Sequence, residues 1–372
     1  MDGGPAIELR WQSGCSVSTV PEFFDYQAPA FTMLTPSLHF TACNDAHGGH
    51  RMAYWQWGDP AASHVIVCVH GLSRQGRDFD VLAQALCERA ERAGQPARVV
   101  CPDVVGRGQS DWLKDPLGYQ IPVYAADMMA MLSELKPAKL DWVGTSMGGL
   151  IGMVVCAQLA FAAASDRANP VAPSVGPAVV PLVVPLVIRK LVLNDVGPAI
   201  QWEAIQRIGL YLGNAPRFAS LQQAAQAMWI ISTGFGPHTP AQWLELSRHM
   251  VKPAEIDSND TKDQAKDVAR NEAPGGVVLH YDPAIAVPFR AMTKESAAQG
   301  EAGLWALYDA ITAQTLLTRG AQSDLLSPET AHAMTERGPK AQLVTFDGVG
   351  HAPTLIAPNQ VDAVGDFIFG SV

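Results

Sequence analysis

Trp142–Gly152 reads WVGTSMGGLIG, and the reading of this stretch decides the fold. An apolar run, AKLDWVGTS, ends in Gly-Thr-Ser-Met-Gly, and MGGLIGMVVCAQLAFAAA continues at once with helical spacing. A strand, a sharp turn and a helix are predicted in that order. A turn this tight drives its central residue, Ser146, into a positive-φ backbone and stands the side chain free above the strand ends. Gly144 and Gly148 flank it because side chains there would collide across the turn. A helix that begins directly after the serine aims its unpaired N–H groups and positive dipole end at any anion formed there. The alternative is a glycine-rich turn holding an incidental serine, and the rest of the chain decides between the two.

Outward from this turn the chain alternates between strand and helix patterns. HVIVCVHG and ARVVCPDVVG are short apolar runs, as expected of strands buried on both faces. FDVLAQALCERAERAG carries helical spacing up to Gly94, and YAADMMAMLSELK does so up to Pro137. IRKLVLNDVG, AQTLLTRGA and AQLVTFDGVG are further strands, with PETAHAMTE and NQVDAVGDFIFG as helices between and after the last two. SLHFTAC and HRMAYWQWG flank the turn-rich NDAHGG and predict a β-hairpin. Repeated β-α-β units give an α/β class: a mostly parallel central sheet with helices on both faces.

Three segments stand outside the alternation. Residues 1–35 lack periodicity and are expected to form an irregular extension; the N-terminus has no apolar core of a signal peptide. Residues 165–187 are rich in Ala, Pro and Val, and their prolines argue for a surface insertion. Residues 197–302 show WEAIQRIGLYLG, SLQQAAQAMWIIS and AQWLELSRHMV, with no evident strands, so they are expected to form a helical lid. The core is then 36–196 together with 303–372.

Composition narrows the function classes. A formal charge of −10 over 372 residues argues against a nucleic-acid partner, because phosphate binding needs a basic face. No apolar run reaches the roughly 18 residues of a membrane span. The six cysteines are scattered without C-x-x-C pairs, and Cys68 and Cys101 fall inside apolar strands, which fits reduced thiols and a cytoplasmic location. His47 and His50 lie in the hairpin turn without clustered ligands, so no metal and no cofactor are expected.

A nucleophilic serine needs a base, and the base needs an orienting carboxylate. His351 lies in FDGVGHAP, between the last strand and the last helix. Asp324 lies in TRGAQSDLLSP, beyond the strand TLLT, and Asp195 lies in LVLNDVGP at the end of the strand before the lid. Both follow strand C-terminal ends, where open α/β sheets bind their ligands. Both are candidate acids. The order Ser146, Asp324, His351 is the chain order of one architecture.

On these motifs the chain resembles the α/β-hydrolase fold family from about residue 36 to the end, apart from 165–187. VHGLSRQGRDFD resembles the family's oxyanion loop, and CPDVVGRGQSDW its P-D-x-x-G-x-G-x-S signature. The resemblance implies Asp324 as the acid, at the usual position after the strand that follows the lid, with Asp195 as the alternative. It also implies that the backbone N–H groups of Leu72 and Met147 form the oxyanion hole. The loop reads His70-Gly71-Leu72, not HGGG, so substrate preference does not transfer from HGGG enzymes. His70 is expected to be structural, and Asp103 and Arg107 to fix loops. Trp112, Trp202 and Tyr211 are candidate pocket residues beneath the lid. The expected activity is hydrolysis of a small or medium-sized carboxylic ester. C–C bond hydrolysis, lactonase, amidase or perhydrolase chemistry on the same fold is the alternative, as is a ligand receptor with little turnover.

Overall fold

The computed structural model describes residues 35–168, 186–255 and 275–370. The expected irregular extension therefore lies outside the described residues except for residue 35. So does most of the proline-rich stretch, of which 165–168 complete a helix.

Eight strands form one sheet: β1 (Ser37–Cys43), β2 (His50–Gly58), β3 (His64–Val69), β4 (Ala97–Pro102), β5 (Lys139–Thr145), β6 (Ile188–Asn194), β10 (Gln314–Gly320) and β11 (Gln342–Phe346). Their spatial order is β1-β2-β4-β3-β5-β6-β10-β11. The hairpin β1–β2 is antiparallel and joins β4 antiparallel. Every other pairing in this sheet is parallel. All six residues of β3 are buried, which explains why this central strand reads as an unbroken apolar run and not an alternation.

Helices cover both faces. One apolar cluster gathers residues of α2 (Ile121–Leu135), α3 (Met147–Ala168) and α9 (Pro328–Glu336), with Trp142, Ile151 and Leu193 among them. The opposite cluster gathers residues of α1 (Asp80–Arg92) and α10 (Pro358–Phe369) around Ile66, Cys68 and Val192. Local rules set the helix ends. Lys136 takes a left-handed backbone (φ 45°) and closes α2 just before Pro137, and Gly94 (φ 62°) stops the chain after α1.

Between β6 and β10 the chain makes its long excursion through α4 (Trp202–Tyr211), α5 (Leu221–Ser232), α6 (Pro240–Arg248), α7 (Ala286–Arg290) and α8 (Lys294–Asp309). The expectation of a purely helical segment needs correction. Three short strands, β7 (Arg217–Phe218), β8 (Val251–Pro253) and β9 (Val277–Leu279), form a separate antiparallel sheet. Runs of two or three residues are too short to show a period-2 pattern. The boundary at residue 302 also cuts through α8, which packs against α3.

Candidate active site

Ser146 is the first residue after β5 and holds φ 52°, a strained backbone for a residue with a Cβ. Its N–H donates to the Asn194 carbonyl at 3.0 Å. The flanking glycines are forced by contact. A Cβ on Gly144 would lie 2.3 Å from the Gly148 carbonyl oxygen, and one on Gly148 would lie 2.0 Å from that of Val69. α3 thus starts pressed against β3 and β5, and no larger residue fits.

His351 sits five residues beyond β11, in the loop before α10. Its Nε2 lies 2.9 Å from Ser146 Oγ, and its Nδ1 lies 2.7 Å from Asp195 Oδ2. A carboxylate only accepts, so Nδ1 carries the proton and Nε2 is left to accept from the serine hydroxyl. Asp195 is fully buried and follows β6 directly, its φ of 55° turning the carboxylate back over the sheet edge. Its Oδ1 accepts the Gly320 N–H at 2.9 Å, and its Oδ2 accepts the Ser323 hydroxyl at 2.6 Å.

The favoured acid is therefore corrected: the geometry brings Asp195, not Asp324, to the histidine. Asp324 lies in the turn beyond β10, about half exposed, where Arg207 of α4 holds it at 2.7 Å. The loop after β10 reaches the constellation through the Ser323 hydroxyl and the Gly320 N–H. The Asp324 side chain turns to Arg207 of α4 instead, although its neighbour Ser323 points back to Asp195.

Asn194 binds these pieces together. Its Nδ2 donates to Thr145 Oγ1 at 3.0 Å and to the Pro353 carbonyl at 2.8 Å, and its Oδ1 accepts the Thr318 hydroxyl at 2.8 Å. The residue before the serine and the loop after the histidine are thus pinned to one fully buried amide. Composition and spacing carried no sign of it.

The loop after β3 is fixed from both sides. His70 Nε2 accepts the Val104 N–H at 2.9 Å, so its Nδ1 donates to the Gly71 carbonyl at 2.7 Å. Burial holds the ring far down, at about 3, so it stays neutral. Arg107, fully buried, donates through Nε to the Leu72 carbonyl at 2.9 Å, and its Nη2 lies 3.8 Å from the Met147 sulfur. Asp103 accepts the N–H groups of Gly76 at 2.7 Å and Gln109 at 2.8 Å, and burial pushes its carboxyl up to about 6. Among the described residues the Leu72 and Met147 N–H groups have no hydrogen-bond partner.

A small cleft of about 40 Å³ adjoins the serine; Thr145 and Ala352 line it, but Ser146, Asp195 and His351 do not. Gly71, Thr145 and Pro353 line it from the core, and Phe235 and Leu246 from the excursion. The candidate pocket residues Trp112, Trp202 and Tyr211 do not line it. Trp112 is exposed and carries Lys252 over its ring at 4.6 Å, while Tyr211 is paired with Arg207 in α4. A wider cleft, about 300 Å³, is lined by Asp45, His47 and Asp115 and by no chain neighbour of Ser146, Asp195 or His351.

His50 has more company than its sequence context suggests. Ligand atoms of Cys43, His50 and Asp127, all buried, lie within 4.8 Å of one another. Both ring nitrogens of His50 meet carboxylates at 2.9 Å, Asp45 on one side and Asp127 on the other. Two accepting partners require both nitrogens to carry protons, so this is a buried imidazolium between two acids. Burial alone would lower its pKa, but the bonds to Asp127, Cys43 and Asp45 outweigh it and raise it to about 11.

An eight-stranded, mostly parallel sheet with a serine at a strand–helix elbow and a histidine after its last strand defines an α/β hydrolase. The chain belongs to the alpha/beta hydrolase family, which it matches over residues 66–364. It is similar to the 3-hydroxybutyrate-oligomer hydrolase of Cupriavidus necator, with 43% identity over 337 residues, 91% of this chain and 99% of that protein. An alpha/beta hydrolase from Novosphingobium aromaticivorans is similar in structure, with a TM-score of 0.64 and 29% identity, covering 91% of this chain and 100% of that one. An esterase of Mycobacterium tuberculosis shares the fold at 19% identity, with a TM-score of 0.58 over 90% of this chain and 91% of its own. No described helix is long and apolar enough to cross a membrane.

Proposed function

We propose that this protein is a serine hydrolase that cleaves ester bonds in short 3-hydroxybutyrate oligomers through an acyl-enzyme. The observation that carries the reading is the relay in which His351 spans Ser146 Oγ at 2.9 Å and Asp195 Oδ2 at 2.7 Å. The choice of substrate rests on the similarity to the oligomer hydrolase, which runs nearly the full length of both chains.

In this reading Ser146 Oγ attacks the ester carbonyl while His351 Nε2 takes its proton. The Leu72 and Met147 N–H groups receive the negative charge that develops on the carbonyl oxygen, each worth about 10²–10³ in rate. His351 returns the proton to the leaving hydroxyl, and Asp195 stabilises the imidazolium in between. Water activated by the same nitrogen then releases the acyl group. The excursion between β6 and β10 acts as a lid that limits water at the reacting centre. The free thiols of Cys43, Cys68, Cys87, Cys101 and Cys156 support a reducing, cytoplasmic setting.

The test is hydrolysis of 3-hydroxybutyrate dimer and trimer, with p-nitrophenyl butyrate as a generic ester. Turnover of the oligomers should fall by about 10⁴-fold or more in Ser146→Ala. Oligomer turnover that survives this substitution would remove the serine mechanism. Turnover of the generic ester without the oligomers would remove the substrate assignment.

A further inference from the structure

The cleft beside Ser146 is lined mostly by apolar groups, among them Phe79, Phe235, Leu246 and Pro353, yet Arg74 lines it too. That side chain is only 12% exposed, so its charge sits in low dielectric, where electrostatic contacts are strong. Two bonds to Asp78, from Nε at 2.6 Å and Nη2 at 2.7 Å, fix its orientation. Nη2 also donates to the Leu246 carbonyl of α6 at 3.1 Å, and the guanidinium carbon lies 5.8 Å from the Phe235 ring centre. Among the described residues nothing engages Nη1. Arg74 is thus held on one edge and keeps Nη1 donors free, and it lines a cleft that Thr145 and Ala352, the chain neighbours of Ser146 and His351, line as well.

We infer that the Nη1 edge of Arg74 takes the free carboxylate of the hydroxyacid chain, so the enzyme cleaves the ester bond nearest the carboxyl end. This rests on the substrate reading above. An oligomer of 3-hydroxybutyrate has one hydroxyl end and one carboxylate end. With the carboxylate at Arg74, next to Gly71 and Thr145, the terminal unit is the leaving alcohol. One monomer departs with its hydroxyl reprotonated by His351, and the rest of the chain stays on Ser146 as the acyl group until water releases it. A substrate carboxylate close to a developing oxyanion would raise the barrier unless it is held by directed donors, and Arg74, already paired with Asp78, offers it the Nη1 hydrogens.

The experiment compares kcat/KM for the trimer as free acid and as methyl ester, in the wild type and in Arg74→Met and Arg74→Lys. The wild type should prefer the free acid by about ten-fold or more, the size of a charge-assisted contact. Arg74→Met should abolish that preference, chiefly through KM, and Arg74→Lys should keep part of it. Trimer cleaved by the wild type should yield monomer and dimer with the label of a carboxyl-end-labelled substrate in the monomer. Because Arg74→Met removes the partner of the partly buried Asp78, a measurement on the wild type alone runs beside it. 3-Hydroxybutyrate should inhibit p-nitrophenyl butyrate hydrolysis competitively, and its methyl ester should do so about ten-fold more weakly. If both trimers are cleaved equally well by the wild type, or if Arg74→Met slows both by the same factor, the inference falls and the substrate reading stands. Failure to cleave either trimer removes both.

Discussion

Asp195 is a left-handed residue, and its carboxylate is the one that reaches His351. Of the two candidate aspartates, only the one with φ 55° directs its side chain back across the sheet edge to His351. Buried with one N–H and one hydroxyl donor besides the histidine, it is held in a single orientation. Asp195→Asn should therefore lower kcat by about 10⁴-fold, because an amide can present an N–H to Nδ1 and favour the wrong tautomer. Asp324→Asn removes only a half-exposed pair with Arg207 and should stay within about three-fold of the wild type. Steady-state kinetics on both variants check the assignment, and the reverse ranking would restore Asp324. From sequence these two residues differed mainly in their distance from the strand end, one residue against four, and that distance did not separate them.

At the scale of elements, the site depends on how closely α3 approaches β3 and β5. Trp142 of β5 donates from its indole nitrogen to the Gly148 carbonyl at 3.1 Å, and a Cβ on Gly152 would fall 2.5 Å from that same nitrogen. The glycines in GTSMGGLIG were legible as a tight turn, but their second duty, letting a helix lie directly on a tryptophan, is visible only in the packed structure. Gly148→Ala should cost about 3 kcal/mol, since the new methyl meets the Val69 backbone oxygen rather than a movable side chain. Thermal denaturation checks this, and an unchanged midpoint would show that the elbow has slack. The long excursion was legible as helices and not as a sheet. Its strands β7, β8 and β9 are held by pairing with each other across long sequence separations, and no local pattern marks them.

Across the whole molecule, the hairpin β1–β2 is tied to α2 by charge as well as by packing. His50 of β2 is the cation between Asp45 of the hairpin turn and Asp127 of α2. Its pKa is raised above the ordinary value, so the folded state binds this proton more tightly than the unfolded chain does. The resulting stability is fully present below about pH 6.5 and fades as pH rises toward about 11. The melting-temperature difference between wild type and His50→Gln should therefore be greatest near pH 6 and shrink in alkaline buffer. A difference that does not change with pH would mean that the imidazolium contributes through shape alone.

Local chemistry in the chain was enough for the strand–helix alternation, the elbow at Ser146, the histidine loop at 351 and the family that these define. Each depends on residues within about ten positions of one another, where periodicity, glycine and turn rules act. The tertiary structure alone decided the acid, the Asn194 amide that pins serine and histidine loops together, the Arg107 support behind the Leu72–Met147 pair, and the side chains that line the cleft. These are contacts between strand ends and loops far apart in sequence. Their geometry is set by the order in which the sheet assembles and by the angle at which each chain leaves its strand, and neither quantity is written in the neighbouring residues.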